Sequence, residues 1–237
     1  MSTRKPFRFK QFSVDDSKCA MKVGTDAVLL GVWADVAAAE SILDIGTGCG
    51  LIALMAAQRS NAHITAIDID ESATLQCKEN FLSSPWSKRI EAVHTSVQQF
   101  QPDKLYDCII CNPPFFKNAL KTPVHQRNLA RHNDTLSFEN LVYEVNRLLN
   151  IEGTFAFILP IEEANEVIML ARKHHLYPDR CCTVFSLPDK SPNRLMVELS
   201  RKKSIGSIEM LTIRDLNNQY TAEYKELTKD FYLFLTE

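Results

Sequence analysis

Ser41-Ile42-Leu43-Asp44-Ile45-Gly46-Thr47-Gly48-Cys49-Gly50 closes an apolar run with three glycines at alternate positions, and Leu51 to Arg59 then reads as a helix. The chain has only seven glycines in 237 residues, so three within five positions mark a tight backbone turn open to close approach by a ligand. The spacing Asp-x-Gly-x-Gly-x-Gly is not the nicotinamide fingerprint, which needs glycine where Leu51 stands. No Gly-Lys-Ser/Thr triplet exists, which excludes a P-loop. A second apolar run, His63-Ile64-Thr65-Ala66-Ile67, ends at Asp68, close to the offset expected of a carboxylate that grips ribose hydroxyls. Asp68 could instead cap a following helix, with Glu71 three residues on. A glycine turn with a ribose acid and no phosphate-binding lysine suits a nucleoside without phosphates, of which S-adenosylmethionine is the common one. Asp44, Gly46, Gly48, Gly50 and Asp68 are therefore candidate cofactor-binding residues.

Outward from this turn the pattern alternates. Strands are expected near 41–45, 63–67, 90–94, 105–111 and 154–159, with helices near 50–59, 71–82, 136–149 and 161–174. Such alternation predicts an α/β, Rossmann-like fold with a mostly parallel sheet and helices on both faces. Segments 180–186 and 194–200 flank the Pro188–Asn193 turn and read as an antiparallel hairpin. Residues 207–213 alternate like one more strand, and 219–235 read as an amphipathic helix with Tyr224, Leu227, Phe231 and Leu235 on its buried face. No internal repeat or linker divides the chain, so 1–237 is expected to be one domain, with a basic segment at 1–22 and an extension at 205–237.

Asn112-Pro113-Pro114-Phe115 follows the apolar run Cys108-Ile109-Ile110-Cys111. Two prolines cannot donate to a sheet ladder, so the strand stops there, at the carboxyl edge where open α/β sheets bind ligands. The Asn112 amide oxygen and the Pro113 carbonyl can both accept from an –NH2 group while the Phe115 ring stacks on the planar system carrying it. These three are the candidate catalytic residues, and Asn112 also borders the cofactor.

With both motifs in place, the chain resembles the class I methyltransferases of amino groups, and specifically the tRNA1(Val) (adenine(37)-N6)-methyltransferase family. Phe9-Lys10-Gln11-Phe12, Cys19-Ala20-Met21-Lys22-Val23-Gly24-Thr25-Asp26, Asn80 with Ser84-Pro85-Trp86, and Tyr220-Thr221-Ala222-Glu223-Tyr224 through Phe231-Tyr232 carry the match. The resemblance implies a seven-stranded sheet finished by the antiparallel hairpin, S-adenosylmethionine as cofactor with Lys22 and Thr25 beside it, and an anticodon-loop adenine of tRNA as substrate. The family more often has tyrosine at Phe115. Where it commonly has an aspartate for the cofactor's adenine amine, this chain has Ser96, a weaker acceptor. Other methyltransferases of amino groups (DNA adenine-N6, ribosomal-RNA guanine-N2, protein glutamine) use the same Asn-Pro-Pro-aromatic chemistry, and a non-catalytic cofactor-binding module is the alternative of another class.

The formal net charge of −2 is not that of a strongly basic nucleic-acid binder, so RNA contact must be local. Lys117, Lys121, His125, Arg127, Arg131 and His132 follow the Asn112 turn with no acid before Asp134. Arg8 and Lys10 sit among Phe7, Phe9 and Phe12, in a segment that could equally be a solvated tail. Lys117, Lys121, Arg127, Arg131, Arg8 and Lys10 are the candidate RNA contacts. The seven cysteines include Cys108-x-x-Cys111, whose place inside a strand argues for buried thiols rather than a metal site. No apolar run reaches the ~18–20 residues of a membrane span and no signal-peptide core is present, so a cytoplasmic location is expected.

Overall fold

The most apolar runs of the chain become the centre of one twisted sheet. In the computed structural model, which describes residues 5–114, 136–203 and 206–233, a short hairpin of β1 (Phe7–Arg8) and β2 (Ser13–Val14) precedes helix α1 (Thr25–Trp33). The repeating unit then runs β3 (Ser41–Ile45), α2 (Leu51–Arg59), β4 (His63–Asp68), α3 (Glu71–Leu82), β5 (Ile90–His94) and β6 (Tyr106–Cys111). After the Asn112 turn come α4 (Phe138–Leu148), β7 (Leu149–Leu159), α5 (Ile161–Arg172), β8 (Tyr177–Phe185), β9 (Arg194–Ser200), β10 (Ser207–Thr212) and α6 (Ala222–Thr228).

The sheet order is β10-β8-β9-β7-β6-β3-β4-β5, and only β9 runs antiparallel to its neighbours. Seven strands make the expected class I methyltransferase sheet, and β10 extends it as an eighth, parallel to β8. The chain starts at β3, steps outward through β4 to β5, and then crosses back to β6 on the other side of β3. Between the carboxyl ends of β3 and β6 lies the topological switch point, the place where such sheets bind ligands.

Side chains of the central strands alternate between two cores, as the two-residue period of a strand requires. Ile42, Ile110, Ala156 and Ile158 pack with α1, α2 and α3; Leu43, Ile45, Ile109, Phe155 and Phe157 pack with α4 and α5. α1 does not stand out in the sequence as a helix because its residues from Val28 to Trp33 are all buried, leaving no polar face to mark a period. Gly31 in its middle admits α2: a Cβ there would lie 2.7 Å from Met55 Sδ. At its carboxyl end the Arg59 guanidinium donates to the carbonyls of Gly31 and Ala34, at 3.0 and 2.6 Å.

The carboxyl-terminal helix is shorter than its amphipathic pattern suggests. α6 stops at Thr228, whose carbonyl accepts from the N–H groups of both Phe231 and Tyr232. From there the chain turns to meet β1, with Lys10 N–H donating to Phe231 O and Phe9 bridged to Tyr232. The apolar stripe is real but is used partly outside the helix, since Phe231 is buried beyond its end; Leu235 lies outside the described residues. Residues 7–14 are accordingly not a loose tail. Phe9 is buried, stacked on Phe12 at 4.7 Å and on Tyr232 at 5.9 Å between ring centroids. Among the described residues no helix is long and apolar enough to cross a membrane.

Candidate active site

The three loop glycines adopt the left-handed conformation, with φ of +71° at Gly46, +57° at Gly48 and +83° at Gly50. L side chains rarely take this conformation, which explains glycine at each position. What surrounds them differs. A Cβ on Gly50 would lie 2.6 Å from the Phe81 ring and 2.7 Å from Cys77 Sγ, so this glycine seats the loop against α3. Around Gly46 and Gly48 a Cβ would meet nothing within 4 Å, so the opposite side of the loop is open.

Four side chains hold the loop in shape. Asp68, at the end of β4, accepts from Gly48 N–H at 2.8 Å through Oδ2 and from Asp70 N–H at 2.9 Å through Oδ1. Burial raises its pKa above the ordinary carboxylate value. Asp68 is not the cap of α3. That role belongs to Asp70, whose Oδ1 accepts from the N–H groups of Ser72 and Ala73, which leaves Asp68 at the ligand edge. Thr47 Oγ1 donates to Asp44 Oδ2 at 2.6 Å, and the Asn80 amide donates to Cys49 O at 2.8 Å.

Asp44 is the outlier in this set. It is 1 % exposed, and its second oxygen has no hydrogen-bond partner. Desolvation pushes its pKa up to about 7; the Thr47 hydroxyl offsets part of that cost, and so, to a lesser degree, does the nearby Ala53 N–H, without closing a hydrogen bond on Oδ1. Between roughly pH 4 and pH 7 the folded protein thus holds a proton on Asp44 that the unfolded chain has lost, and stability falls as pH rises through that window. Asp44→Asn is expected to stabilise the cofactor-free protein at pH 8 by about 2 kcal/mol. This is less than the ~4 kcal/mol ceiling set by the carboxyl, because the amide brings N–H groups that need acceptors. The gain should vanish near pH 4, as read from urea unfolding at the two pH values.

β6 delivers the second half of the site. Ile45 and Cys111 are paired across β3 and β6, so Gly46 and Asn112 leave the two strands side by side. Asn112 is half-buried, Pro113 buried and Pro114 exposed. On the far side of β4, Thr95 N–H donates to Asp68 O at 3.0 Å, and Ser96 follows at the same edge. Ser96 Oγ accepts only a long bond of 3.3 Å, from Gln99 N–H. The structure therefore brings Asp44, Gly46, Gly48, Gly50, Asp68, Ser96, Asn112 and Pro113 to one edge of the sheet.

Other candidates are engaged by local partners, are exposed, or lie outside the described residues. Lys22 Nζ donates to the carbonyls of Asp16 and Cys19, at 2.6 and 2.9 Å, closing its own loop. Thr25 is the exposed first residue of α1, next to Asp26, which pairs with Arg194 at 2.8 Å. Arg8 and Lys10 are exposed on the amino-terminal hairpin. Phe115, Lys117, Lys121, His125, Arg127, Arg131 and His132 lie outside the described residues. Cys108 and Cys111 are buried free thiols; burial pushes Cys108 up to about 12 and raises Cys111 as well. Among the described residues no group of three or more His, Cys, Asp or Glu is placed to hold a metal ion.

Comparison with known proteins agrees with this geometry. The Methyltransferase small domain family matches residues 17–158. A tRNA1(Val) (adenine(37)-N6)-methyltransferase of Bacteroides thetaiotaomicron is 47% identical over 231 residues, covering 97% of this chain and 98% of that one. The protein of the same name from Histophilus somni is 42% identical over 237 residues, covering 98% and 99%. Among solved structures, a predicted O-methyltransferase from Agrobacterium tumefaciens superposes with a TM-score of 0.67 at 20% identity, covering 87% of this chain and 96% of that one. That likeness establishes the class I methyltransferase fold. The near-full-length sequence identity goes further, and the chain belongs to the tRNA1(Val) (adenine(37)-N6)-methyltransferase family.

Proposed function

We propose that this protein transfers a methyl group from S-adenosylmethionine to the exocyclic amino nitrogen of an adenine in tRNA, at adenine 37 beside the anticodon of tRNA1(Val), as its relatives are named for doing. One observation carries the reading: Asn112-Pro113 leaves β6 directly beside the glycine loop at the switch point of the sheet. The pocket suits the cofactor. Open left-handed glycines at 46 and 48 admit close approach, a half-buried Asp68 carboxylate is available to ribose hydroxyls, and the buried Asp44 oxygen lacks a donor. Ser96, at the neighbouring strand end, is assigned to the adenine amine. Lys22 and Thr25, at the entry to α1, are assigned to the cofactor on the reading of the family resemblance.

The cofactor, when bound, supplies an electrophilic methyl group. The protein must make a poor nucleophile attack it, because the lone pair of adenine N6 is delocalised into the ring. Asn112 Oδ1 and the Pro113 carbonyl accept the two N–H bonds, which rehybridises the nitrogen and fixes the direction of its lone pair. As the N–C bond formed, the methyl's bond to the sulfonium sulfur would break with its electron pair left on sulfur, and the positive charge passing to the nitrogen would be stabilised by these two oxygens in a water-poor site. The nitrogen then sheds one proton, and its own acidity in the cationic product makes a strong base unnecessary. Phe115 is assigned to stacking on the base, worth about 1–3 kcal/mol. An anticodon-loop adenine is already single-stranded, so presenting it costs less than flipping it from a duplex.

Lys117, Lys121, Arg127 and Arg131 are assigned to the RNA backbone near the target, and Arg8 and Lys10 to a second contact on the amino-terminal hairpin. Arg127→Gln with Arg131→Gln should weaken tRNA binding and reduce the slope of log affinity against log salt by somewhat less than one per lost contact. An unchanged slope would remove that segment from the interface. Acting on the mature tRNA pool, the protein would work in the cytoplasm. The decisive experiment is transfer of labelled methyl to unmodified tRNA1(Val), followed by nucleoside mass spectrometry. N6-methyladenosine at position 37 is the expected product, and absence of transfer would leave a cofactor-binding module.

A further inference from the structure

Asn80 is 5 % exposed, on the face of α3 turned toward the glycine loop, and its amide oxygen and both of its N–H donors are engaged. Its Oδ1 accepts from Asp15 N–H at 3.0 Å. Its Nδ2 donates in two directions, to Asp15 O at 2.8 Å and to Cys49 O at 2.8 Å. One amide thus ties together two segments far apart in sequence, the strand-to-helix loop that ends at Gly50 and the stretch that follows β2. Gln76 and Glu79, on the same face, also receive that stretch, through Ser17 Oγ at 3.3 Å and Lys18 Nζ at 2.6 Å. Only Asn80 among the three also reaches the glycine loop. Cys19 and Cys49, one from each segment, are both buried in the same core. Further along, Val23 N–H donates to Asp16 Oδ2 at 3.0 Å, which carries the link up to the start of α1.

We propose that Asn80 is a positioning residue for cofactor binding, coupling the order of residues 15–22 to the shape of the loop Gly46–Gly50. The proposal rests on the reading of that loop as the cofactor cradle. The Cys49 carbonyl is the lever. Without the Nδ2 donor it is a buried acceptor with no partner, and a loop of left-handed glycines relaxes readily to find one. Alanine at 80 removes all three bonds. Aspartate keeps the acceptor for Asp15 N–H but turns a carboxylate toward two carbonyls that both need donors, so it should be no better than alanine.

The test uses the full chain with S-adenosylhomocysteine as the probe. In calorimetry Asn80→Ala and Asn80→Asp should each weaken binding by about tenfold or more. KM for S-adenosylmethionine should rise in parallel while kcat at saturation stays within about threefold, because Asn80 touches no reacting atom. Hydrogen exchange in the unmutated protein supplies a readout that loss of stability cannot mimic. Adding the probe should slow exchange in residues 13–22 as well as in 46–50. In the alanine variant at saturating probe, protection of 46–50 should remain and that of 13–22 should be lost. Affinity unchanged in a variant with a normal unfolding curve would overturn the proposal. So would exchange in 13–22 that ignores the probe in the unmutated protein, even if no variant folds. Failure of the unmutated protein to bind the probe at all would overturn the cofactor reading itself, and the proposal with it.

Discussion

Asn112→Ala is expected to lower kcat about 10²–10³-fold, the cost typical of removing one preorganised hydrogen-bond partner from a transition state. The size follows from what the amide does. In the ground state the adenine N–H bonds can find water or carbonyl partners almost as good, so the side chain contributes little to holding tRNA. In the transition state the nitrogen becomes cationic, and an oxygen already fixed at the end of β6 needs no reorganisation to stabilise it. KM for both substrates should therefore change by no more than about threefold, and kcat/KM should fall with kcat. Asn112→Asp separates geometry from charge. A carboxylate also accepts the N–H bond, so it should retain more activity than alanine if acceptance is what matters. Steady-state kinetics on unmodified tRNA checks both. Turnover of the alanine variant within a factor of a few of the parent would sink this account of nitrogen activation.

The parts of the fold that local chemistry fixes were legible in the residues. β3, β5 and α3 run over the residues read for them, because glycines, alternation and a short polar cap mark their ends. What escaped depended on partners distant in sequence. From Val28 to Trp33 α1 is apolar all round because it is covered by α2 and the sheet, and its Gly31 speaks against a helix until Met55 is seen beside it. α6 ends early because residues 229–232 turn to pair with the amino-terminal hairpin, a contact no local pattern announces. The site divides in the same way. The glycines, Asp68 and Asn112 could be named because strand ends and turns carry them. Asp70, rather than Asp68, proved to be the helix cap, and two acids two residues apart look alike until their hydrogen bonds are drawn. Asn80 belonged to the resemblance, but its role did not: its partners lie 65 and 31 residues away, and an amide bonded to backbone leaves no trace in spacing.

Asp68→Ala should weaken S-adenosylmethionine binding about 10²-fold, the combined loss of two charge-assisted hydrogen bonds to the ribose and of support for the loop. Each oxygen already accepts one backbone N–H, from Gly48 and from Asp70, and each keeps a second lone pair for a hydroxyl. Burial is the largest influence raising the pKa of this carboxylate, the N–H groups of Asp70, Gly48 and Ile69 lower it, and the neighbouring Asp70 charge raises it further. A half-buried acid whose hydrogen-bond donors are backbone N–H groups is held ready for further neutral donors, and the two ribose hydroxyls would supply them. Asp68→Asn sorts the two contributions. It keeps the shape and one acceptor oxygen but presents N–H to the other partner, so its loss should fall between those of the parent and alanine. Acidification offers an independent check. The folded pKa lies above the ordinary value, so affinity should decline as pH drops toward that raised value, and the alanine variant should not share this decline. Calorimetry across pH with S-adenosylhomocysteine measures all three. Affinity unchanged in Asp68→Ala would take the ribose away from β4 and leave this acid with the loop alone.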